Sequence, residues 1–463
     1  MNQAEQIQKS MKELRGAVQG RMIFSQDAEF DKARELFYRW NDRRPAVIVK
    51  VADERDVSRV VSFARENGLE FAIRSGGHSL AGHSMSEGGV VIDLSEFRKL
   101  EIDVPNRTAW AQTGMTTGQF TKETGAYGLA VGFGDTGSVG IGGITLGGGV
   151  GLLVRKHGLT IDNLLAAEVI TADGQLVRTD DENYPDLFWA IRGGGGNFGI
   201  ATKFKFRLCP VDSIVGGIMM LRANAGIIES FVAEAETAPE ELSVIVNVML
   251  APPMPFIPQE YHGQLVIMAM MVYAGKVDSG EQTVKTFRSL AKPVMDMVGA
   301  KKYPQMFEGP EGPHPVAGSV KNMFIDKVDK RTSEMIVDYL NASTASMAVT
   351  QLRVLGGAMA RIPADATAYA HRKQRIMVNI AALYERKEEA PLHDDWVKRF
   401  TGAIDQGDKG AYVNFLGDEG SDRVQAAYPG STWDRLAEIK RRYDPTNLFR
   451  MNQNIPPAAG KKP

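Results

Sequence analysis

The stretch Gly132–Gly151, GFGDTGSVGIGGITLGGGVG, carries ten glycines in twenty residues, and its reading decides the fold. Each glycine inside a helix or strand costs roughly 0.5–1 kcal/mol relative to alanine, so this density marks turned backbone or backbone that approaches a ligand. A flexible linker is the competing reading, but linkers are rich in serine and other polar residues. Here Val139, Ile141, Ile144, Leu146 and Val150 interleave with the glycines, and Leu152 and Leu153 follow. The pattern describes buried, tightly turned chain that cradles a ligand. Two shorter clusters repeat it, RSGGHSLAG at Arg74–Gly82 and RGGGGNFGI at Arg192–Ile200.

Gly132-x-Gly134-x-x-Gly137 and Gly194-x-Gly196-x-x-Gly199 both match the dinucleotide fingerprint. That fingerprint has meaning only between a strand and an amphipathic helix. The first match runs into more glycine and the second into the alternating strand IATKFKFRL, so neither has the context. No G-x-x-x-x-G-K-[ST] sequence is present either, which argues against a P-loop NTPase.

Working outward, Pro45–Val51 reads as a strand, and Asp53 caps a helix with Val57, Val60, Val61 and Ala64 on its apolar face. Phe71–Ile73 and Val90–Leu94 are further strands, the former delivering Arg74–His78 into a glycine loop. Short strands and turns continue to Leu208, giving an α+β class. Beyond Cys209-Pro210 the composition shifts: 15 of the 21 methionines lie between Met219 and Met377. Leu242–Leu250, Gln264–Tyr273, Ser346–Gly356 and Arg375–Tyr384 read as strands of a second domain. Methionine fills core gaps and also lines adaptable apolar surfaces. In the tail, YVNF at Tyr412–Phe415 precedes a helix marked by Trp433, Leu436, Ile439 and Tyr443 and ended by Asp444-Pro445. The expected division is 1–209 (core about 41–209), 210–408 and a closing segment 409–463 that returns to the first domain.

The 463 residues are 43% hydrophobic and 24% charged, a globular composition. A net charge of −2 gives no field for nucleic acid, and no apolar run approaches the ~18 residues of a membrane span. The N-terminal MNQAEQIQKSMKELRGAV lacks a signal-peptide core, and the single Cys209 excludes an internal disulfide. A cytoplasmic location is expected; the sequence assigns no oligomeric state.

The ordered motifs PAVIVKVADERDVSRVVSFARENGL, RSGGHSLAG, VVIDLS, GIGGITLGGGVG, GLTIDNL…VITADG, DLFWAIRGGGGNFGI and YVNF…RRYDPTNLFRMNQNIPP run from about Arg43 to Pro457. This chain resembles the berberine-bridge-enzyme-like oxidases of the vanillyl-alcohol-oxidase (PCMH-type) FAD-binding superfamily. The resemblance implies a two-part FAD-binding domain and a substrate domain with an antiparallel sheet flanked by helices. It implies an 8α-histidyl link through His78, with Ser75, Gly76, Gly77, Ser79 and Gly82 facing the pyrophosphate. Further implied cofactor contacts are Arg74, His83, Gln112, Gly114, Asp135, Ser138, Gly142, Gly143 and Gly149. Asn197, Phe198, Gly199, Ile200, Asn452 and Asn454 complete the set. Thr136 stands where many members carry a second, cysteinyl link, so one link is expected. Val139 matches the position that gates oxygen. His78 and His83 do not suggest a metal pair, because no third ligand stands near and helical pairs are spaced i, i+4.

Tyr412 matches the family tyrosine placed over the flavin, where it takes the substrate proton, and Asn414 matches its neighbouring amide. Strand alternation puts Gln351 and Arg353 on one face, expected to look into the pocket, and Gln351 occupies a region where some family members place an acid. Asn247 and Asn379 are further polar residues on expected strands. The expected activity is hydride transfer from a C–H beside an alcohol or amine to flavin, with O2 as acceptor and H2O2 as product. An O2-independent dehydrogenase or NADPH-fed reductase, or a flavoprotein kept for binding, are the alternatives. The expected substrate is an apolar or aromatic small molecule.

Overall fold

The computed structural model describes residues 11–308 and 315–460, so the first ten residues of the N-terminal stretch read above fall outside it. The fold begins with a four-stranded sheet in the order β1-β2-β4-β3: Arg21–Phe24, Val47–Lys50, Val90–Asp93 and Phe71–Arg74. β4 runs parallel to both β2 and β3, and β1 is antiparallel to β2. The helix Glu54–Glu66 crosses between β2 and β3, and its N-cap Asp53 accepts from Asp56 N. Val57, Val60, Val61 and Ala64 are wholly buried against this sheet. Burial of a valine side chain contributes about 1.5–3 kcal/mol, which more than offsets the helix's β-branched content.

A second, antiparallel sheet is ordered β5-β6-β10-β8-β9: Leu100–Asp103, Thr108–Gln112, Ile200–Arg207, Leu164–Ile170 and Leu176–Thr179. The short β7 (Leu129–Ala130) pairs with β11 (Cys209–Pro210). Edge-to-face contacts among Phe120, Phe133 and Phe206 fill the core beneath this sheet. This region also holds helices, Thr117–Gly125 and Pro185–Ile191, where strands and turns were expected. Their start signals are local. Thr116 and Gln119 exchange side-chain and backbone hydrogen bonds in a reciprocal cap, and Pro185 sits in the first helical turn. Within the glycine-rich stretch, Ile141–Leu146 winds into a short helix bounded by Gly140 and Gly147.

The third sheet is antiparallel and ordered β15-β12-β14-β13-β18-β19-β17, with β16 also pairing β12. Its strands are β12 (Ser213–Arg222), β13 (Leu242–Leu250), β14 (Leu265–Tyr273), β15 (Pro293–Asp296), β16 (Gly299–Lys302), β17 (Ala317–Ile325), β18 (Met347–Val354) and β19 (Ile376–Tyr384). The period of two divides each strand. Val244, Val246, Leu352, Val378 and Ile380 pack beneath four helices, Ala225–Thr237, Val277–Arg288, Lys330–Asn341 and Ala390–Ile404. The other face carries Asn322, Asn379, Gln351 and Arg353 and reaches the glycine-rich stretch and the closing segment. The molecule is α+β. The methionines divide as well: Met219, Met271 and Met323 fill the helix-side core, while Met220, Met249, Met268 and Met295 cluster on the opposite face.

The closing segment docks onto the first part of the chain. The helix Ser431–Tyr443 places Lys440, wholly buried, where its Nζ donates to Asn197 O (2.8 Å), Phe449 O (2.9 Å) and Asp444 Oδ2 (2.6 Å). Ile455 N then donates to Asn197 Oδ1 at 2.9 Å. Burial pulls the Lys440 ammonium below its ordinary pKa, and the Asp444 carboxylate opposes that shift.

Candidate functional site

A cavity of about 430 Å³ opens where the glycine loops, the polar face of the third sheet and the closing segment meet. That volume lies within the range of small-molecule and cofactor sites. Its first wall is the loop after β3, with Ser75, Gly76, Gly77, His78, Ser79 and His83. A Cβ on Gly76 would lie 2.1 Å from Gly140 N, so at this point the main chains of the two loops are in direct contact. The second wall is the glycine-rich stretch, with Asp135, Thr136, Val139, Gly142 and Gly143. The third comes from Asn197, Gly199 and Ile200, with Asn452 beside them. The sheet contributes Gln351, Arg353 and Asn379, and the closing segment Tyr412, Asn414 and Phe415.

Other residues expected at the cofactor stand behind these walls. Ser138 Oγ bonds His78 Nε2 at 2.9 Å, and Gly149 N donates to Tyr412 Oη at 3.0 Å. The Arg74 guanidinium turns away to the carbonyls of Ala33 and Glu35. Gln112 Oε1 accepts from Lys99 N at 3.0 Å, and Gly114 is packed against Leu94 O. Gly82 abuts the Asn41 side chain, and Phe198 lies in the core under the second sheet. Asn454 is not on the cavity wall, although its Oδ1 is buried without a partner. The wall also includes Phe37 and Tyr38, which motif reading missed. Phe37 stacks on His78 with centroids 4.2 Å apart, and Trp40 Nε1 donates to Leu80 O at 3.0 Å. The aromatic density of LFYRWN at Leu36–Asn41, just before a strand, was the available signal.

Tyr412 is buried, and its hydroxyl oxygen accepts from both Gly149 N and Asn414 Nδ2, the latter at 2.9 Å. Its own N donates to Asn322 Oδ1 at 2.7 Å. Burial pushes the phenol pKa up, while the two donors and the Arg353 charge pull against that shift. Each guanidinium nitrogen of Arg353 is engaged: Nη2 donates to Asp135 Oδ2 (2.6 Å), Nη1 to Val150 O (3.2 Å) and Nε to Gln351 Oε1 (2.9 Å). Its guanidinium also lies 5.0 Å from the Phe415 ring centroid. Gln351 Nε2 donates to Asn247 Oδ1 at 3.0 Å, so both ends of that amide are engaged. Tyr38 is pushed up to about 12 by burial and then by the Asp135 charge. His83 is pulled down to about 4 by burial and the Arg43 charge, which keeps it neutral.

The wall suits a large cofactor that can donate a hydrogen bond. A Cβ at Gly143 would meet open space, and Asn452 Oδ1 is a buried acceptor without a partner. Cys209 is buried beside Asn163 Oδ1 at 3.6 Å, so no thiol lines the cavity among the described residues. No group of three His, Cys, Asp or Glu arranged to hold a metal occurs among them either. No described helix is long and apolar enough to cross a membrane.

Comparison with known proteins accounts for this architecture. Residues 45–180 match the family described as "FAD binding domain", and residues 411–456 match "Berberine and berberine like". The FAD-linked oxidoreductase YvdP of Bacillus subtilis is 31% identical over 453 residues, covering 95% of this chain and 98% of that protein. The (R)-6-hydroxynicotine oxidase of Paenarthrobacter nicotinovorans is 28% identical, covering 95% and 97%. The crystal structure of 6-hydroxy-D-nicotine oxidase from Arthrobacter nicotinovorans superposes with a TM-score of 0.85 at 26% identity, covering 95% of this chain and 98% of that one. The chain belongs to the berberine-bridge-enzyme-like FAD-linked oxidoreductases. It is an enzyme whose cofactor is FAD.

Proposed function

We propose that the protein is an oxidase that removes hydride from a C–H beside an alcohol or amine of a small molecule and uses O2 as the terminal acceptor. The observation that carries this reading is the pair of hydrogen bonds from Gly149 N and Asn414 Nδ2 to Tyr412 Oη on the cavity wall. When bound, FAD supplies a hydride acceptor at N5 and, once reduced, the electrons that convert O2 to H2O2. The chain supplies the proton chemistry. Tyr412 Oη takes the proton from the substrate's oxygen or nitrogen, and the two donors together with Arg353 stabilise the phenolate. Asn322 holds Tyr412 from its backbone side, so the ring has little freedom to leave this position. Gln351 serves that arrangement as a brace, since both ends of its amide are occupied and none is left for proton transfer.

FAD is held by the backbone of Ser75–Ser79, by Gly142 and Gly143, and by Asn197, Gly199 and Asn452. A single covalent link through His78 completes the attachment. The resemblance of RSGGHSLAG supports that link, and Thr136, with no thiol among the described cavity residues, supports its being single. The Phe37, Tyr38 and Phe415 side chains favour a flat, apolar or aromatic substrate. The test is twofold. Purified protein is acid-precipitated, and yellow retained in the pellet but lost in His78→Ala supports the link. Peroxide released in air by a substrate found through flavin bleaching supports the oxidase. Bleaching without peroxide, or reduction by NADPH alone, overturns it.

A further inference from the structure

Four adjacent strands of the third sheet carry a row of side-chain amides across the face that meets the cavity. Asn322 on β17 pairs with Asn379 on β19, Asn379 with Gln351 on β18, and Gln351 with Asn247 on β13. Three of the four have a bonded amide oxygen: Asn322 Oδ1 receives Tyr412 N, Gln351 Oε1 receives Arg353 Nε, and Asn247 Oδ1 receives Gln351 Nε2. Asn379 differs. Its Oδ1 is buried and has no hydrogen-bond partner, although the residue lines the cavity. A buried acceptor left open on a binding wall is either a cost the fold carries or one side of an interaction the ligand completes.

We infer that Asn379 determines substrate specificity, its Oδ1 accepting a hydrogen bond from an O–H or N–H on a flat ring held between the aromatic side chains of the cavity. This deepens the reading of the site given under Proposed function and rests on its placing the substrate's reacting group at Tyr412. Asn379 is directly cross-strand from the residue that fixes Tyr412, so recognition and proton removal act on one molecule within one stretch of wall. Sites built to bond a substrate hydroxyl or amine reject the analogue that lacks it far more strongly than apolar pockets reject a missing methylene.

The experiment titrates phenol and its methyl ether, anisole, into the flavin-loaded protein and reads Kd from the perturbation of flavin absorbance, without turnover. Phenol is expected to bind at least about tenfold more tightly than anisole. Asn379→Leu is expected to bring the ratio to about one, whereas Asn379→Asp, which keeps an oxygen acceptor at that position, retains the preference. Equal binding of the two probes by the unaltered protein overturns the inference even where Asn379→Leu does not fold. Absence of saturable binding by either probe overturns it too, as does a preference that survives in Asn379→Leu. Failure of the oxidase reading is seen separately, as a lack of peroxide in a protein that still distinguishes the two probes.

Discussion

Arg353 Nη2 donates to Asp135 Oδ2 at 2.6 Å across 218 positions of sequence, joining the glycine-rich stretch to the third sheet. The pair places a cation near Tyr412 and an anion against that cation. Removing each member therefore acts on the phenol in opposite directions. Arg353→Met withdraws positive charge and raises the phenol pKa, moving the rising limb of the pH profile of substrate-driven flavin reduction to higher pH. Asp135→Asn frees the guanidinium charge and moves the limb to lower pH. Tyr369, whose ring lies against Tyr412, and the Arg372–Asp162 pair behind it are unchanged in both variants. Anaerobic stopped-flow across pH gives both values; shifts of the same sign would show that the pair is only a structural clamp.

Tyr412→Phe removes one oxygen from a ring that packs against Phe324, Tyr369 and Met377. The apolar contacts survive but Gly149 N loses its acceptor, so a fall in stability of about 1–3 kcal/mol is expected with flavin content retained. The rate of flavin reduction is expected to fall by roughly 10²–10⁴-fold, the usual contribution of a positioned base. A loss confined to KM would remove the proton-transfer role.

Gly149 has φ +77°, and a Cβ there would lie 1.9 Å from Thr160 Oγ1. Gly149→Ala therefore strains the backbone and displaces the N–H that bonds Tyr412. Destabilisation of more than ~1 kcal/mol is expected, measured by urea unfolding, together with a slower reductive half-reaction.

Lys440 and Asp444 are both wholly buried. Lys440→Met leaves the Asp444 carboxylate buried without its cation, with an expected cost of about 3–5 kcal/mol. The double variant Lys440→Met/Asp444→Leu removes that unpaired charge and is expected to recover part of the loss. Because Lys440 also anchors Asn197 O, FAD retention by the single variant is expected to drop, read as flavin per protein after gel filtration.

His83 is held at about 4, against an ordinary value of 6.5. Below pH 6.5 the unfolded chain takes up a proton that the folded chain refuses, so stability falls as pH drops from about 6.5 toward 4. His157, likewise at about 4, adds to the same slope. Thermal melts across this window should show the decline, and His83→Gln should flatten part of it.

Much of this was legible in the sequence for physical reasons. β13, β14, β18 and β19 are long apolar runs whose ends fall within two residues of the expected limits. Tyr412 and Asn414 could be paired because their functional spacing is local. Other features depend on register. Nothing near Asn379 in sequence tells that it stands beside Asn322 on one side and Gln351 on the other; strand order alone sets that. The same holds for Arg74, whose place in the glycine motif suggests a ligand contact while its long side chain reaches back to Ala33 and Glu35. The wall from Phe37 and Tyr38 lies upstream of the motif-bearing strand, where aromatic side chains pack from a loop with no periodic signal.

The bond from Ile455 to Asn197 spans 258 positions, and this distance has a consequence for how the enzyme is made. At about 5–20 residues per second, roughly 10–50 s pass between synthesis of the glycine loops and synthesis of the segment that closes over them. For that interval the nascent chain presents half a flavin site, with neither Tyr412 nor the Asn197 anchor in place. The Asn197–Ile455 bond can therefore form only after the closing segment has been synthesised, so this part of the cavity wall is the last to be completed.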